Sequence, residues 1–302
     1  MSPPRRGLLV FNPKAGARDR GRQLESLAAR WRACGLDLAL VPTTGPGTAT
    51  GLVASRLPER LDVVAVCGGD GTVGEAALAL VGTGVPLAIL PAGTANVVAR
   101  ELGLGTAVAS AEAHLASTRT RPVTVWPAAG RACLLAAGVG YEARVMGGAR
   151  PALKRLLGRA GFGVTAVAAW LRYEFPRLEA AGVDAAGRPF RKEGTIVVAA
   201  NTRRYGGDFL LAPAADPSDD LLDLVVYAGR STAGLLRYFA RLARGKGGHL
   251  ALPEVERLPV RSVTIRSLEG YEVEAQVDGE AAGTTPLTVG PPLGTVRVVV
   301  PA

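Results

Sequence analysis

The feature that most restricts this chain is the regular switch of hydrophobic period along its first hundred residues. Short β-branched or aliphatic runs at 8–11, 36–41, 63–67 and 87–90 predict strands. Stretches with apolar residues three and four apart at 23–34, 48–57, 73–81 and 97–102 predict helices between them. Strand and helix in strict alternation imply a parallel sheet with right-handed crossovers, which places ligand-binding loops at the carboxyl ends of the strands.

From about residue 122 the texture changes. Tyr271, Val273, Ala275 and Val277 alternate with Glu272, Glu274, Gln276 and Asp278, and Val263 and Ile265 alternate with Thr264 and Arg266. That period of two predicts half-buried antiparallel strands, so the second half is mainly β. Helical patterns interrupt it at 151–173 and 231–244. The chain of 302 residues is long enough for two domains. We place an α/β domain at 1–122 and a β-rich domain at 123–302, with a last strand free to return to the first domain.

Composition narrows the function. Lys plus Arg number 35 against 26 Asp plus Glu, a net charge of +9 that favours anionic partners: nucleic acid, anionic lipid surfaces or phosphorylated small molecules. Three separated cysteines make neither a disulfide framework nor a CxxC motif, which fits a reducing cytoplasm. Two histidines leave little material for a His-rich metal site or a His-based triad, so any metal is expected to be oxygen-ligated and Mg2+-like. The first residues lack the apolar core of a secretory signal, and no apolar run approaches the ~20 residues that span a bilayer. The chain is therefore expected to be neither secreted nor membrane-spanning.

Three loops carry the chemistry. Gly68-Gly69-Asp70-Gly71-Thr72 follows the strand at 63–67 and precedes a helix with Val73, Ala76, Ala77 and Leu80 on one face. Its glycines let backbone N–H groups form an anion nest, and the helix N-terminus adds partial positive charge, so the loop suits phosphate; a tight strand-to-helix turn would also use such glycines. It is neither a GxxxxGK[ST] loop nor a GxGxxG fingerprint. Pro91-Ala92-Gly93-Thr94-Ala95-Asn96 follows the next strand, where Thr94 and Asn96 could contact a ligand or cap the following helix. Asn12-Pro13-Lys14-Ala15-Gly16 adds a cation on the same rim. Three such loops on one sheet edge point to a nucleotide site.

Taken in order, FNPKAG, GGDGT, PAGTANVVAR, GVGYEARV, YGGDFLLAPAADPSDDLLDLVV and VDGE resemble the catalytic region of the diacylglycerol kinase superfamily, in particular the bacterial lipid kinases. The resemblance runs over roughly residues 7 to 300. NAD kinases and phosphofructokinases carry similar glycine–Asp loops, and the later motifs separate them.

That resemblance implies an α/β nucleotide domain with a parallel sheet, a mainly antiparallel β-sandwich domain for the lipid substrate, and ATP held in a cleft between them. It implies that Asn12, Lys14, Thr43, Gly68, Gly69, Asp70, Gly71, Thr72, Thr94 and Asn96 border the nucleotide. The base is implied to be Glu280, the acid of the DGE motif; Asp70, flanked by phosphate-cradling amides, is the second catalytic residue, placed to hold Mg2+ directly or through water. A structural Mg2+ is implied around Asp219 with the carbonyls of Asp216 and Leu221, and Glu142 faces the lipid head group. Phosphoryl transfer agrees with these roles, since it requires in-line positioning, Mg2+ and a base for the acceptor hydroxyl. The chain departs from the family pattern at Gly74, where Asn is usual, at Glu142, where Asp is usual, and at Asp208 and Asp220, where Gly is common. Asp70 and Glu280 remain, so activity is expected.

No acid lies between Glu142 and Glu174, or between Asp223 and Glu254. Arg144, Arg150, Lys154, Arg155, Arg159 and Arg172 fall in the first stretch and Arg230, Arg237, Arg241, Arg244 and Lys246 in the second. Interleaved with apolar residues, they read as a basic amphipathic surface for the inner face of an anionic membrane, or as a solvated helix face over a core stripe. The leading expectation is an ATP-dependent lipid kinase, cytoplasmic and peripheral at the membrane. The alternatives are a kinase of a soluble acceptor such as NAD, and a catalytically silent membrane- or nucleotide-binding regulator. Nucleic acid is not expected as a partner, because 5% aromatics and no recognisable motif leave few stacking platforms.

Overall fold

The computed structural model describes residues 5–15, 20–109, 117–148, 170, 173–206 and 209–301. The chain forms two compact units, Met1–Val125 with Leu293–Ala302, and Trp126–Pro292.

The first unit is a layered α/β sheet. Its elements are β1 (Arg5–Phe11), α1 (Arg20–Ala33), β2 (Leu36–Pro42), α2 (Thr48–Arg56), β3 (Val63–Gly68), α3 (Asp70–Leu80), β4 (Leu87–Pro91), α4 (Val97–Glu101) and β5 (Thr120–Ala128). The strands lie in the order β2-β1-β3-β4 and are all parallel. The last strand of the chain, Gly294–Val299, then pairs parallel to β4 and antiparallel to the start of β5, with Gly294 opposite Val125 and Val299 opposite Thr120. β3 and β4 are buried at every position, which is why they read as unbroken apolar runs, whereas edge strand β2 alternates. On α1 the residues Leu24, Leu27, Ala28 and Trp31 form one buried stripe against the sheet. Each leucine so buried contributes about 1.5–3 kcal/mol.

The second unit is a β-sandwich built from β6 (Arg131–Cys133), β7 (Ala136–Val139), β8 (Leu178–Asp184), β9 (Pro189–Gly194), β10 (Ile196–Ala200), β11 (Arg204–Tyr205), β12 (Phe209–Leu210), β13 (Leu222–Tyr227), β14 (Val255–Ser267), β15 (Glu274–Val277), β16 (Glu280–Thr284) and β17 (Leu287–Val289); Gly294–Val299 is β18. Helices α5 (Tyr141–Gly148) and α6 (Thr232–Ala243) accompany it. The antiparallel path runs β16-β15-β7-β10-β13-β14-β17, with β8 alongside β14 and β9. Central strands feed two cores with alternate residues. Leu222, Leu224 and Val226 of β13 enter one, with Val197 and Ala199 of β10, while Val225 and Tyr227 enter the other beneath Leu235, Tyr238 and Leu242 of α6. Ser231 starts α6 by accepting the Gly234 N–H on its hydroxyl.

Two expectations change. The helix after GGDGT begins at Asp70 rather than 73. The alternation expected over 271–278 holds for Val273, Ala275 and Val277, but Tyr271 is 50% exposed because strand pairing begins only at Glu274, and Gln276 is fully buried, its amide oxygen accepting the Gly279 N–H within the turn. The helix expected at 151–173 lies outside the described residues, apart from Trp170 and Tyr173.

Candidate active site

In the first unit the loops identified from sequence line up along the carboxyl edge of the sheet, tied by main-chain bonds from strand to strand. Thr43 N–H donates to the Phe11 carbonyl at 2.8 Å, Asn12 N–H to Cys67 at 3.0 Å, and Ala92 N–H to Gly68 at 2.9 Å. Thr43, Asn12, Gly68, Gly69 and Gly93 therefore share one rim. Lys14 is exposed there, in a turn closed by the Asn12 side-chain oxygen accepting the Lys14 N–H at 2.9 Å. Gly16 lies outside the described residues.

The GGDGT segment is a helix N-terminus and not the expected nest. Neither Gly68, Gly69 nor Gly71 has positive φ; Gly69 is an extended N-cap, and Asp70, Gly71 and Thr72 form the first turn of α3. That turn leaves N–H groups without helical acceptors at the sheet edge, with the positive end of the helix dipole behind them. The glycines serve close approach instead. A Cβ on Gly93 would lie 2.5 Å from the Gly69 Cα, and a Cβ on Gly68 would meet Thr72 at 2.8 Å. Gly69 and Gly93 pack main chain on main chain, while the Thr72 side chain lies against Gly68 and the Asn96 amide against Gly93.

Asp70 has a structural task that its sequence setting does not reveal. Its two carboxylate oxygens accept the N–H groups of Val97 and Val98 at 3.1 and 3.0 Å and so cap α4 from 27 residues away. Burial raises its pKa, opposed by those amides. Each oxygen takes a single amide from α4, which leaves acceptor capacity toward the edge. Asn96 sits in the left-handed conformation at the N-cap position without capping α4; its amide instead clamps Gly93, accepting its N–H at 2.9 Å and donating to its carbonyl at 3.0 Å. Thr94 is exposed. Glu75, which sequence reading passed over, repeats the device. Its carboxylate accepts the N–H groups of Gly47 and Ala49 at 2.7 and 2.9 Å and caps α2. A second acid on an otherwise apolar helix, between Gly74 and Ala76, is the only sequence signal for it.

In the second unit Glu280 opens β16, exposed, with Arg131 at 3.5 Å. The acid before it is the buried anchor. Asp278 accepts N–H groups from Leu134, Leu135 and Ala136 at 2.8, 2.8 and 3.0 Å, and the Cys133 thiol reaches it at 3.4 Å. Desolvation pushes the Asp278 carboxyl up to about 6 in spite of those donors. The acidic turn is tight. The Asp216 carboxylate accepts from Ser218 N–H and hydroxyl at 3.0 and 2.7 Å, the Asp216 carbonyl accepts the Asp219 N–H at 3.2 Å, and Asp219 accepts the Leu221 N–H at 3.0 Å. Asp219 is shifted upward by desolvation and by the charges of Asp216, Asp220 and Asp223. Asp220, where the family pattern has Gly, pairs with Arg261 at 2.7 Å. Among the described residues no group of three or more His, Cys, Asp or Glu side chains is gathered to hold a metal.

The GVGYEARV motif bends from β7 into α5 through Gly140 at φ 117°, where a Cβ would strike the Thr195 carbonyl at 2.7 Å. Glu142 lies in α5. A cleft of about 130 Å3 opens at the start of α5, lined by Gly140, Arg144, Glu174, Tyr271 and Glu274.

Residues 6–128 match the diacylglycerol kinase catalytic domain, and residues 136–301 match the YegS C-terminal NAD kinase beta sandwich-like domain. The chain belongs to the diacylglycerol kinase and YegS-like lipid kinase family. It is 29% identical over 314 residues to a diacylglycerol kinase of Mycobacterium tuberculosis, covering 97% of this chain and 94% of that one. It is 31% identical over 281 residues to a probable lipid kinase YegS-like protein of Pseudomonas putida, covering 91% and 88%. The fold is similar to the crystal structure of a putative diacylglycerol kinase from Bacillus anthracis, with TM-score 0.79, 24% identity and coverage of 100% and 99%. Family membership makes the protein a kinase, and its two units correspond to the α/β and sandwich halves of that fold. No helix among the described residues is long and apolar enough to cross a membrane.

Proposed function

We propose that the protein transfers the γ-phosphoryl group of Mg2+-bound ATP to a hydroxyl of a diacylglycerol-like lipid. The observation that carries this reading is the close main-chain approach of Gly69 and Gly93 at the sheet edge, with the N-terminus of α3 behind it and the Lys14 cation on the same rim. Such an edge binds phosphate through amides and dipole. Asp70 holds α4, and with it the 91–96 loop, against the start of α3, so that the edge is preorganised. Glu280 is the base that takes the acceptor hydroxyl proton; it is exposed, on a short hairpin, and oriented by Arg131.

The turn at 216–221 fits a hard divalent cation by its donor chemistry. It offers carboxylate and carbonyl oxygens, and Asp219, raised first by desolvation and then by the charges of Asp216, Asp220 and Asp223, is a carboxylate that a cation would favour in its charged form. Asp219 with the carbonyls of Asp216 and Leu221 would hold Mg2+, which supplies local charge neutralisation there. On the membrane side, α6 turns Leu236 outward at 56% exposure, with exposed Arg230, Arg244 and Lys246 nearby and no acid between Asp223 and Glu254. This supports a peripheral approach from the cytoplasm to an anionic inner leaflet.

The test is incubation with radiolabelled ATP and a total bacterial lipid extract, followed by identification of the product. Labelled lipid that requires Mg2+ is expected, with Glu280→Gln lowering the rate by about 100-fold or more. Absence of labelled lipid, or labelling of NAD without lipid, overturns the acceptor assignment. A near wild-type rate in Glu280→Gln overturns the base.

A further inference from the structure

We infer that Asp278 is a positioning residue for the phosphoryl-transfer base: its carboxylate staples the turn that carries Glu280 to the main chain of residues 134–136. The inference rests on the reading of Glu280 as that base.

β15 and β16 form a hairpin with Val277 opposite Glu280, closed by Asp278 and Gly279 at φ 52° and 80°. Two left-handed residues, Asp then Gly, make a complete two-residue hairpin turn by themselves. Nothing in that turn calls for a buried carboxylate, and in an isolated hairpin the Asp side chain faces water. Here it is turned inward. Oδ2 accepts the Leu134 N–H, Oδ1 accepts those of Leu135 and Ala136, and the Asp278 N–H returns a bond to the Ala136 carbonyl at 2.8 Å. The turn is thus bound to the 134–136 main chain on both its donor and its acceptor side.

That main chain is itself anchored. The fully buried Asn201 donates from its side-chain amide to the Leu134 carbonyl and from its backbone to the Leu135 carbonyl, both at 2.8 Å, and its side-chain oxygen accepts the Trp126 indole N–H at 2.9 Å. Ala136 begins β7, which lies between β15 and β10. Glu280 therefore stands two residues from a carboxylate locked to the centre of the sandwich, while its own side chain is exposed. No Arg or Lys among the described residues pairs with Asp278, so the carboxylate is held by dipoles alone. An asparagine would satisfy the left-handed turn without the cost of an enclosed charge. The acid does what the amide cannot, which is to accept on both oxygens. With both engaged, the direction in which the chain leaves the turn toward Glu280 is set by three bonds instead of two.

The test is a double-mutant cycle on the full chain, with steady-state kinetics for ATP and lipid. Asp278→Asn keeps the turn and one acceptor oxygen but sets an N–H2 against the Leu134 N–H. It is expected to lower kcat about tenfold with KM for ATP within about twofold. In the Glu280→Gln background the same substitution is expected to cost nothing further, because a residue acting through Glu280 has no effect once the base is gone. A wild-type kcat in Asp278→Asn, or an equal loss in both backgrounds, overturns the inference. A wild-type rate in Glu280→Gln alone overturns the base assignment and so marks a different failure. Should Asp278→Asn not fold, Cys133→Ser keeps all three N–H bonds and offers Oδ1 a stronger donor. A change in kcat of about two- to threefold confined to the Glu280 background is then expected, and equal changes in both backgrounds overturn the proposal.

Discussion

Gly93→Ala is the sharpest probe of the proposed phosphate edge. An ideal Cβ there falls 2.5 Å from the Gly69 Cα, 2.9 Å from the Asn96 Oδ1 and 3.3 Å from the Gly69 nitrogen. Carbon atoms in contact sit about 3.5–4.0 Å apart, so the two loops must separate by about 1 Å. No flexible side-chain tip can absorb this, since Gly69 is the N-cap of α3 and the Asn96 oxygen accepts the Gly93 N–H. Overpacking of this kind costs about 1–3 kcal/mol. Loss of the Asn96 bond adds about 1 kcal/mol, for a total of about 2–4 kcal/mol. Gly51→Ala is the matched control: it lies on the exposed face of α2, has nothing within 4 Å of its Cβ, and is expected to stabilise by about 0.5–1 kcal/mol. Urea unfolding of the full chain, with amide exchange followed in peptides covering 63–80, measures both variants. ATP affinity of Gly93→Ala is expected to fall at least about tenfold, because displaced amides no longer converge on phosphate. Should Gly93→Ala match wild type in stability within about 0.5 kcal/mol and bind ATP normally, the close approach of the loops would not be what shapes the site.

Two further outcomes follow from acids that hold main-chain N–H groups. Glu75→Ala removes both acceptors of the α2 N-terminus and is expected to destabilise the first unit by about 1–2 kcal/mol, seen as faster amide exchange over 45–56 before any change in α3. For Asp278 the folded-state pKa of about 6 lies above the ordinary 3.8, so between these values the folded protein holds the proton that the unfolded chain has lost. Stability contributed at low pH is therefore lost as pH rises through that window, by up to about 3 kcal/mol. Unfolding free energies of wild type and Asp278→Asn, taken from pH 4 to 7.5, are expected to diverge by this amount, and parallel curves would refute the buried-charge account.

Much of the architecture was legible because period reports burial directly. The central strands β3 and β4 read as unbroken apolar runs since both faces are covered, and Leu24, Leu27, Ala28 and Trp31 mark the buried face of α1. The glycine loops at strand ends, with the ordered later motifs, carried the family. The start of α3 was misplaced because glycines at the head of a helix look like a loop when no neighbour is in view, and the inward place of Gln276 was hidden because its partner, the Gly279 N–H, lies within a turn rather than on a face.

The sequence by itself determined the order of strands and helices, the position of each glycine loop at the end of its strand, and membership of the lipid kinase family. These depend on local periodicity and on short contiguous motifs. Tertiary structure alone decided what the polar side chains do. Asp70 caps a helix that starts 27 residues later, Glu75 one that starts 27 residues earlier, and Asp278 holds main-chain N–H groups more than 140 residues back. Such bonds join atoms that only the folded sheet brings within hydrogen-bonding distance, and no pattern of neighbouring residues encodes them.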